Sequence, residues 1–487
     1  MPRSAVRVVF TGHTGINKTA AIQRLRDHIL NHDPEWSEAT GDARSRREAE
    51  LVGIYSVEDG PPKLATSGFY DLDTHDWERQ ITWEAAFEAA LNRWRQSEPK
   101  PVYSFLCLHL SFQIHSHLLT PLAWWKSSPT DGGLLTSSIV AALKEFSPHH
   151  FVTLIDNVHQ IQNEIAQRTV GSERYYFRLI ELLRWREVET MMTDILARDV
   201  IQREVFSENV EMYPFEHSPQ IAVRHTCRML HSFVAEPEKP RLYISYPISK
   251  PRRIAKANGS EDAIREINDF RERFDEEFTV FDPVTIDERI LKFLSADGSA
   301  LGESEPVGDR RRGEITEKML TLRSAMWWPI RHADTISGIA ASEIKLVASE
   351  VEEITKEIKQ NVSEIDLLIR YRDYRLIDQA DYVVIYRPTY PEGSEREWST
   401  GTWMEYLHAR RCFQKSGGIR KRVHIIRDST NDGPLDSPPF QLVAAHRHEG
   451  TDLHIKANRD AIFSQVVAAI TADKAELQTA NYRPRNN

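Results

Sequence analysis

The sequence predicts an α/β protein of two domains, each built on a parallel sheet. Three observations carry this. Short unbroken apolar runs recur, among them Val6–Phe10, Phe151–Ile155 and Tyr382–Tyr386, as in strands that a parallel sheet buries on both faces. Helix-period segments stand between those runs, the arrangement of crossover units. Finally, 487 residues exceed one ordinary domain, and the polar, Pro-bounded stretch Glu236–Pro240 is a natural divide. The boundaries expected are 1–235 and 241–480.

In the first domain, Val6–Phe10 leads into Thr11-Gly12-His13-Thr14-Gly15-Ile16-Asn17-Lys18-Thr19 and then a helical pattern through about Ile29. A second strand is expected over Val102–Phe112. A third, Phe151–Ile155, ends in Asp156. A helix is expected over Tyr175–Arg198, and Ile221–His225 reads as one more strand.

In the second domain, Arg241–Pro247 forms the first strand. A helix over about Asp262–Phe274 and a strand Thr279–Phe281 follow. Residues 295–312 are rich in Gly, Ser and charge and read as an exposed loop. Ile344, Val347, Val351, Ile354, Ile358, Ile365 and Leu368 recur at threes and fours, the pattern of a long amphipathic helix suited to a helix–helix or subunit contact. Tyr382–Tyr386 is a buried strand. Pro388, Pro391 and Gly393 mark the loop after it, and Ser399 stands where an N-cap would. Val423–Ile426 is expected as the last core strand.

Composition bounds the partners. Apolar residues make up 40% and charged residues 28%, and the formal net charge is −10, so no basic excess marks a duplex nucleic-acid surface. Cys107, Cys227 and Cys412 are scattered without metal or disulfide spacing. A reducing cytoplasm is the expected compartment. No signal-peptide pattern opens the chain and no apolar run is long enough for a bilayer. His13, His109, His115 and His117 lack the spacing of a metal pair and read as ordinary hydrogen-bonded histidines.

Two resemblances give these elements a chemistry. Strand, Gly loop, Lys-Thr and helix resemble the P-loop NTPases, and the acid-ended strand at Asp156 resembles their Mg²⁺-binding strand. The resemblance implies ATP or another nucleoside triphosphate held by Gly12, Gly15, Asn17 and Lys18, with Mg²⁺ at Thr19 and Asp156. Asn17 departs from the pattern, which has Gly before the Lys. The domain is similar to the nucleotide-kinase branch more than to motors.

Tyr243, Asp373, Asp381 and Ser399-x-Gly401-x-x-x-Glu405 resemble the nucleoside 2-deoxyribosyltransferase superfamily, whose members break N-glycosidic bonds and share a flavodoxin- or Rossmann-like parallel sheet. The resemblance implies Glu405 as the nucleophile at the anomeric carbon and Asp373 as the acid that protonates the leaving base. It gives Tyr243 the task of orienting Glu405. Base-exchanging members carry Asp where this chain has Ser399. Members that hydrolyse nucleoside 5′-monophosphates resemble this chain, with Ser there on the phosphate. A hydroxyl at a helix start can donate to a phosphate that a carboxylate would repel. Ser249, Lys250, Arg252 and Arg375 are the further phosphate candidates.

The expected function is thus hydrolysis of a nucleotide's N-glycosidic bond, with no cofactor needed for that step. A P-loop half senses or phosphorylates a nucleotide, and the chain forms a homo-oligomer. A role in nucleotide-pool control or antiviral defence follows by analogy alone. The alternatives are a nucleotide-sensing oligomer with a non-catalytic second domain, and a nucleotide kinase. On the plain reading, Asp373 and Asp381 merely cap structure or pair with Arg375 and Arg370.

Overall fold

The computed structural model describes residues 5–12, 16, 18–58, 64, 75–114, 117–121, 137–156, 161, 169–170, 173–174, 179–197, 220–222, 239–247, 262–281, 283, 361, 363–364, 367–388, 400–415, 422–428, 451–456 and 459–479. The chain falls into two compact units. One takes 1–210, 218–234 and 286–370, and the other takes 211–217, 235–285 and 371–487. Each holds a five-stranded sheet whose neighbouring strands all run parallel.

The first sheet is built from β1 (Val6–Thr11), β2 (Val52–Ser56), β3 (Tyr103–Cys107), β6 (His150–Ile155) and β9 (Gln220–Ala222). Their order is β2-β3-β1-β6-β9. Two small antiparallel hairpins accompany it, β4 (Phe112–Ile114) with β5 (His117–Leu119) and β7 (Thr169–Val170) with β8 (Glu173–Arg174). β1 lies at the centre because it is apolar on both faces. Val8, Val9 and Phe10 are fully buried, each worth about 1.5–3 kcal/mol of transfer free energy. The core beside it packs Trp83 and Phe87 of the Asp76–Gln96 helix against Leu106, Phe112 and Phe146.

The second sheet is built from β10 (Arg241–Ser245), β11 (Thr279–Phe281), β12 (Tyr382–Tyr386), β13 (Arg422–Asp428) and β14 (Thr451–Lys456). The order is β11-β10-β12-β13-β14, so the strands run 2-1-3-4-5 in chain order. Leu242, Ile244, Val384 and Phe274 meet Val466 and Ile470 in its core. Leu242 pairs with Tyr382 and Ser245 with Ile385, which fixes the ends of these two strands level. Between β10 and β12 the order of connection reverses, and sheets of this kind bind ligands beyond the carboxyl ends at such a point.

Several expectations need correction. Val102–Phe112 is not one strand: β3 ends at Cys107 and β4 begins at Phe112. Val423–Ile426 lies inside a longer strand and is not the last, since β14 pairs beyond it. Of the expected 175–198 helix, Leu179–Asp194 is helical and 175–178 and 198 lie outside the described residues; the 262–274 helix continues to Glu277. β2 was not foreseen. The loop at 295–312 and the 344–360 part of the long helix lie outside the described residues. No helix among the described residues is long and apolar enough to cross a membrane.

Candidate active site

At the carboxyl end of β10, Tyr243 and Ser245 point to one region from the same face of the strand, as residues two apart must. Both are fully buried. Glu405 arrives from the Thr400–Lys415 helix, the next described element after β12. Ser245 Oγ donates a hydrogen bond to Glu405 Oε2. The carboxylate is half-buried and held against the strand end, not turned out to bulk water.

Asp373 enters from the helical run 367–378. Arg372 donates to its Oδ1 from Nε at 3.0 Å and from Nη2 at 2.7 Å. Arg372 is itself buried and its Nη2 also reaches the Pro283 carbonyl at 3.4 Å. The partner of Asp373 is therefore its sequence neighbour, not Arg375.

Tyr243 ties the group together. Its phenol is pushed well above the ordinary tyrosine range, first by burial and then by the negative charges of Glu405 and Asp373, with Arg372 opposing. The hydroxyl thus stays protonated and is a donor facing two carboxylates. Glu405 is within reach as an acceptor, yet the geometry falls short of a made bond, and the oxygen is satisfied by no hydrogen bond among the described residues.

Asp381 belongs elsewhere. It opens β12 at the amino end, about 17 Å of strand away from the carboxyl end at roughly 3.3 Å per residue. Its Oδ2 accepts from the Arg241 backbone N–H at 3.0 Å and from Nε at 3.2 Å, and its Oδ1 accepts from Nη2 at 2.8 Å. Its own N–H returns a bond to the Arg241 carbonyl at 2.8 Å. This is a clamp on the start of two neighbouring strands, and Arg370 is not the partner.

Gly401 is exposed, one turn before Glu405 on the same helix. Arg375 is half-buried two residues beyond Asp373, about 200° around the helix axis, so the two side chains leave it on different sides. Ser399, Ser249, Lys250 and Arg252 lie outside the described residues.

The first unit has its own constellation at the carboxyl edge of its sheet. Gly12 follows β1 with φ of 147°, and a Cβ there would stand 2.9 Å from the Leu154 carbonyl oxygen, so only glycine fits. Lys18 opens the next helix and is buried. Its Nζ donates to the Gly12 carbonyl at 2.8 Å and pairs with Glu58 at 2.9 Å. The His109 ring nitrogens lie at 2.8 and 2.9 Å from the same Nζ, and His109 also meets Glu58 closely. Glu58 follows β2 and His109 follows β3, so three strand ends supply this cluster. Asp156 is buried just past the end of β6, which pairs directly with β1, and Thr19 is half-buried beside Lys18. Gly15 and Asn17 lie outside the described residues.

Beneath that edge, Glu189 is fully buried. It accepts from Gly12 N–H at 3.1 Å, from Leu110 N–H at 3.0 Å and from Ser111 Oγ. Burial pushes its carboxyl above the usual glutamate range, and those bonds together with the Lys18 charge oppose the shift. Glu58, Glu189 and Ser245 were not singled out in the sequence, and His109 was read there as an ordinary hydrogen-bonded histidine. Only Ser245 left a signal, as the hydroxyl two residues after Tyr243.

The chain matches no protein-family model and no curated protein sequence.

Proposed function

We propose that the second unit hydrolyses the N-glycosidic bond of a nucleotide. One observation carries the reading. Glu405 bonds Ser245 at the carboxyl end of β10, where the strand order reverses, and Tyr243 two residues earlier lies near enough to feel the charges of both Glu405 and Asp373.

Glu405 attacks C1′ through a carboxylate oxygen. The C1′–N bond breaks, and its electron pair leaves with the base. Asp373, a carboxylate on Arg372 at rest, takes up a proton from solvent and passes it to the departing nitrogen through Oδ2, the oxygen that the two Arg372 bonds do not use. Water then opens the glycosyl ester and restores Glu405, giving the free sugar phosphate. Ser245 holds Oε2, and Oε1 is the oxygen proposed to attack. Tyr243 supplies a second donor as charge returns to Glu405 when the ester opens. Ser399, Gly401, Ser249 and Arg252 are proposed for the phosphate end. Arg375 stays in that set as a proposal, on the 367–378 helical run that also carries Asp373.

The first unit is proposed to bind a nucleoside triphosphate with Mg²⁺ through Lys18, Thr19 and Asp156. Lys18 at a helix start after the central strand and Asp156 beyond its neighbour both fit such a ligand. A phosphate would have to draw Lys18 from Glu58. That competition favours regulated binding over constant turnover, and it supports a sensing role for this half.

The test is base release. The full chain is incubated with nucleoside monophosphates, triphosphates and NAD, and free base is followed by chromatography. Release that Glu405→Ala abolishes is the expected result. Release undiminished in that variant, or no release from any of these substrates, overturns the reading.

A further inference from the structure

We propose that Asp378, His408 and Cys412 form a site for a borderline divalent cation of the Zn²⁺ type, clipping the 367–378 helical run to the Thr400–Lys415 helix. The three lie in the second unit, and their donor atoms fall within 4.8 Å of one another.

His408 and Cys412 stand four residues apart on one helix face, and Asp378 faces them from the other helix. The three edges of the triangle are unequal. His408 Nε2 is 2.7 Å from Asp378 Oδ1, Cys412 Sγ is 3.2 Å from the same oxygen, and Sγ is 3.7 Å from Nε2.

One feature separates this from a nucleophilic triad. In a triad the carboxylate holds one ring nitrogen and the thiol meets the other. Here both approach the same Nε2, so all three donors converge on one point. Tetrahedral bonds of about 2.3 Å to sulfur and about 2.0–2.2 Å to nitrogen and oxygen place the S···N, S···O and N···O edges near roughly 3.6, 3.6 and 3.4 Å. The S···N edge already matches. The other two need to open by about 0.4 and 0.7 Å, within the reach of small side-chain rotations.

Tyr374 stacks on the His408 ring at 4.2 Å and 7°, which holds the imidazole plane in place. Thiolate, imidazole and carboxylate together suit Zn²⁺ better than Mg²⁺ or Ca²⁺, which take oxygen. Three protein ligands leave a fourth position for water. Binding releases the thiol proton to solvent.

The site does not depend on the glycosidase reading, although Glu405 precedes His408 by three residues and Asp373 precedes Asp378 by five. A bound ion would stiffen the two elements that carry those carboxylates.

The test uses the full chain, reduced and stripped with a chelator, then titrated with Co²⁺ as the probe. One equivalent is expected to bind with a thiolate-to-metal charge-transfer band in the near ultraviolet and tetrahedral d–d bands. Cys412→Ser removes the charge-transfer band, and His408→Gln weakens binding by at least roughly tenfold, the lower end of what even an outer partner's loss costs. Far-ultraviolet circular dichroism checks folding. Absence of a thiolate band in the wild-type chain, or its survival in Cys412→Ser, overturns the site. Should Cys412→Ser not fold, His408→Gln decides, and unchanged Co²⁺ affinity there overturns it equally.

Discussion

Tyr243→Phe should move stability and activity in opposite directions. The hydroxyl is fully buried, faces Glu405 and Asp373, and completes no hydrogen bond among the described residues. A buried polar group left unsatisfied costs about 1–3 kcal/mol. Phenylalanine keeps the ring's packing and removes that cost, so the variant should be more stable by about that amount. In a unit of this size each kcal/mol raises Tm by roughly 2–4 °C. Turnover should fall at least about tenfold, the equivalent of about 1.4 kcal/mol for a donor that engages Glu405 only as the reaction proceeds.

A pH signature goes with it. Tyr243 has its folded pKa raised above its unfolded value, so above the ordinary tyrosine range the native state holds a proton that the unfolded chain has lost. Stability therefore falls as pH rises from the unfolded pKa toward the folded one. Tyr243→Phe lacks this contribution. Thermal unfolding at neutral and alkaline pH, beside base-release kinetics, measures all three effects. A variant destabilised by more than about 1 kcal/mol would refute the argument, because it would mean that the hydroxyl already bonds to Glu405 in the resting protein.

Four further outcomes are expected. Ser245→Ala removes the donor that holds Glu405 Oε2 and should cut turnover about 10-fold, since bonds to charged groups are worth about 1.5–3 kcal/mol; steady-state kinetics would show an unchanged kcat if the carboxylate needs no such anchor. Asp381→Ala should lower stability by about 1 kcal/mol, discounted for the partial exposure of the Arg241 pair, and denaturant titration that finds no loss removes the clamp. Glu58→Gln frees Lys18 from its carboxylate and should tighten ATP·Mg²⁺ binding about 5-fold by calorimetry, equivalent to about 1 kcal/mol; weaker binding would place Glu58 among the ligand's own contacts. Glu189 has its folded pKa raised above its unfolded value. Wild-type stability should therefore fall as pH rises from the unfolded glutamate pKa toward the folded one, and Glu189→Gln should lack that slope in melts across this range. Identical slopes would show that Glu189 titrates as it does in the unfolded chain.

The central strands were legible because burial on both faces leaves an unbroken apolar signature, as in Val6–Phe10 and Tyr382–Tyr386. β2 and β14 lie at sheet edges, where that demand relaxes. Val-Gly-Ile-Tyr-Ser and Thr-Asp-Leu-His-Ile-Lys thus carry little of the signature. Tyr243, Asp373 and Glu405 were singled out from motif order. The Arg241–Asp381 clamp was not, since nothing local tells a strand-capping aspartate from one at a site. Glu58, His109 and Glu189 come from three distant places, and each alone reads as an ordinary surface or core residue. Cys412 reads as isolated until His408, four residues before it, is set on the same helix face, and its third neighbour Asp378 comes from another helix.

The most direct measurement is peptide mass spectrometry of the chain quenched during turnover of a 2′-deoxy-2′-fluoro nucleotide, whose fluorinated glycosyl ester is slow to hydrolyse. The account predicts the mass of one sugar phosphate on the peptide that contains Glu405, with one equivalent of base released. Base released with no adduct, or an adduct on any other residue, would contradict Glu405 as the nucleophile.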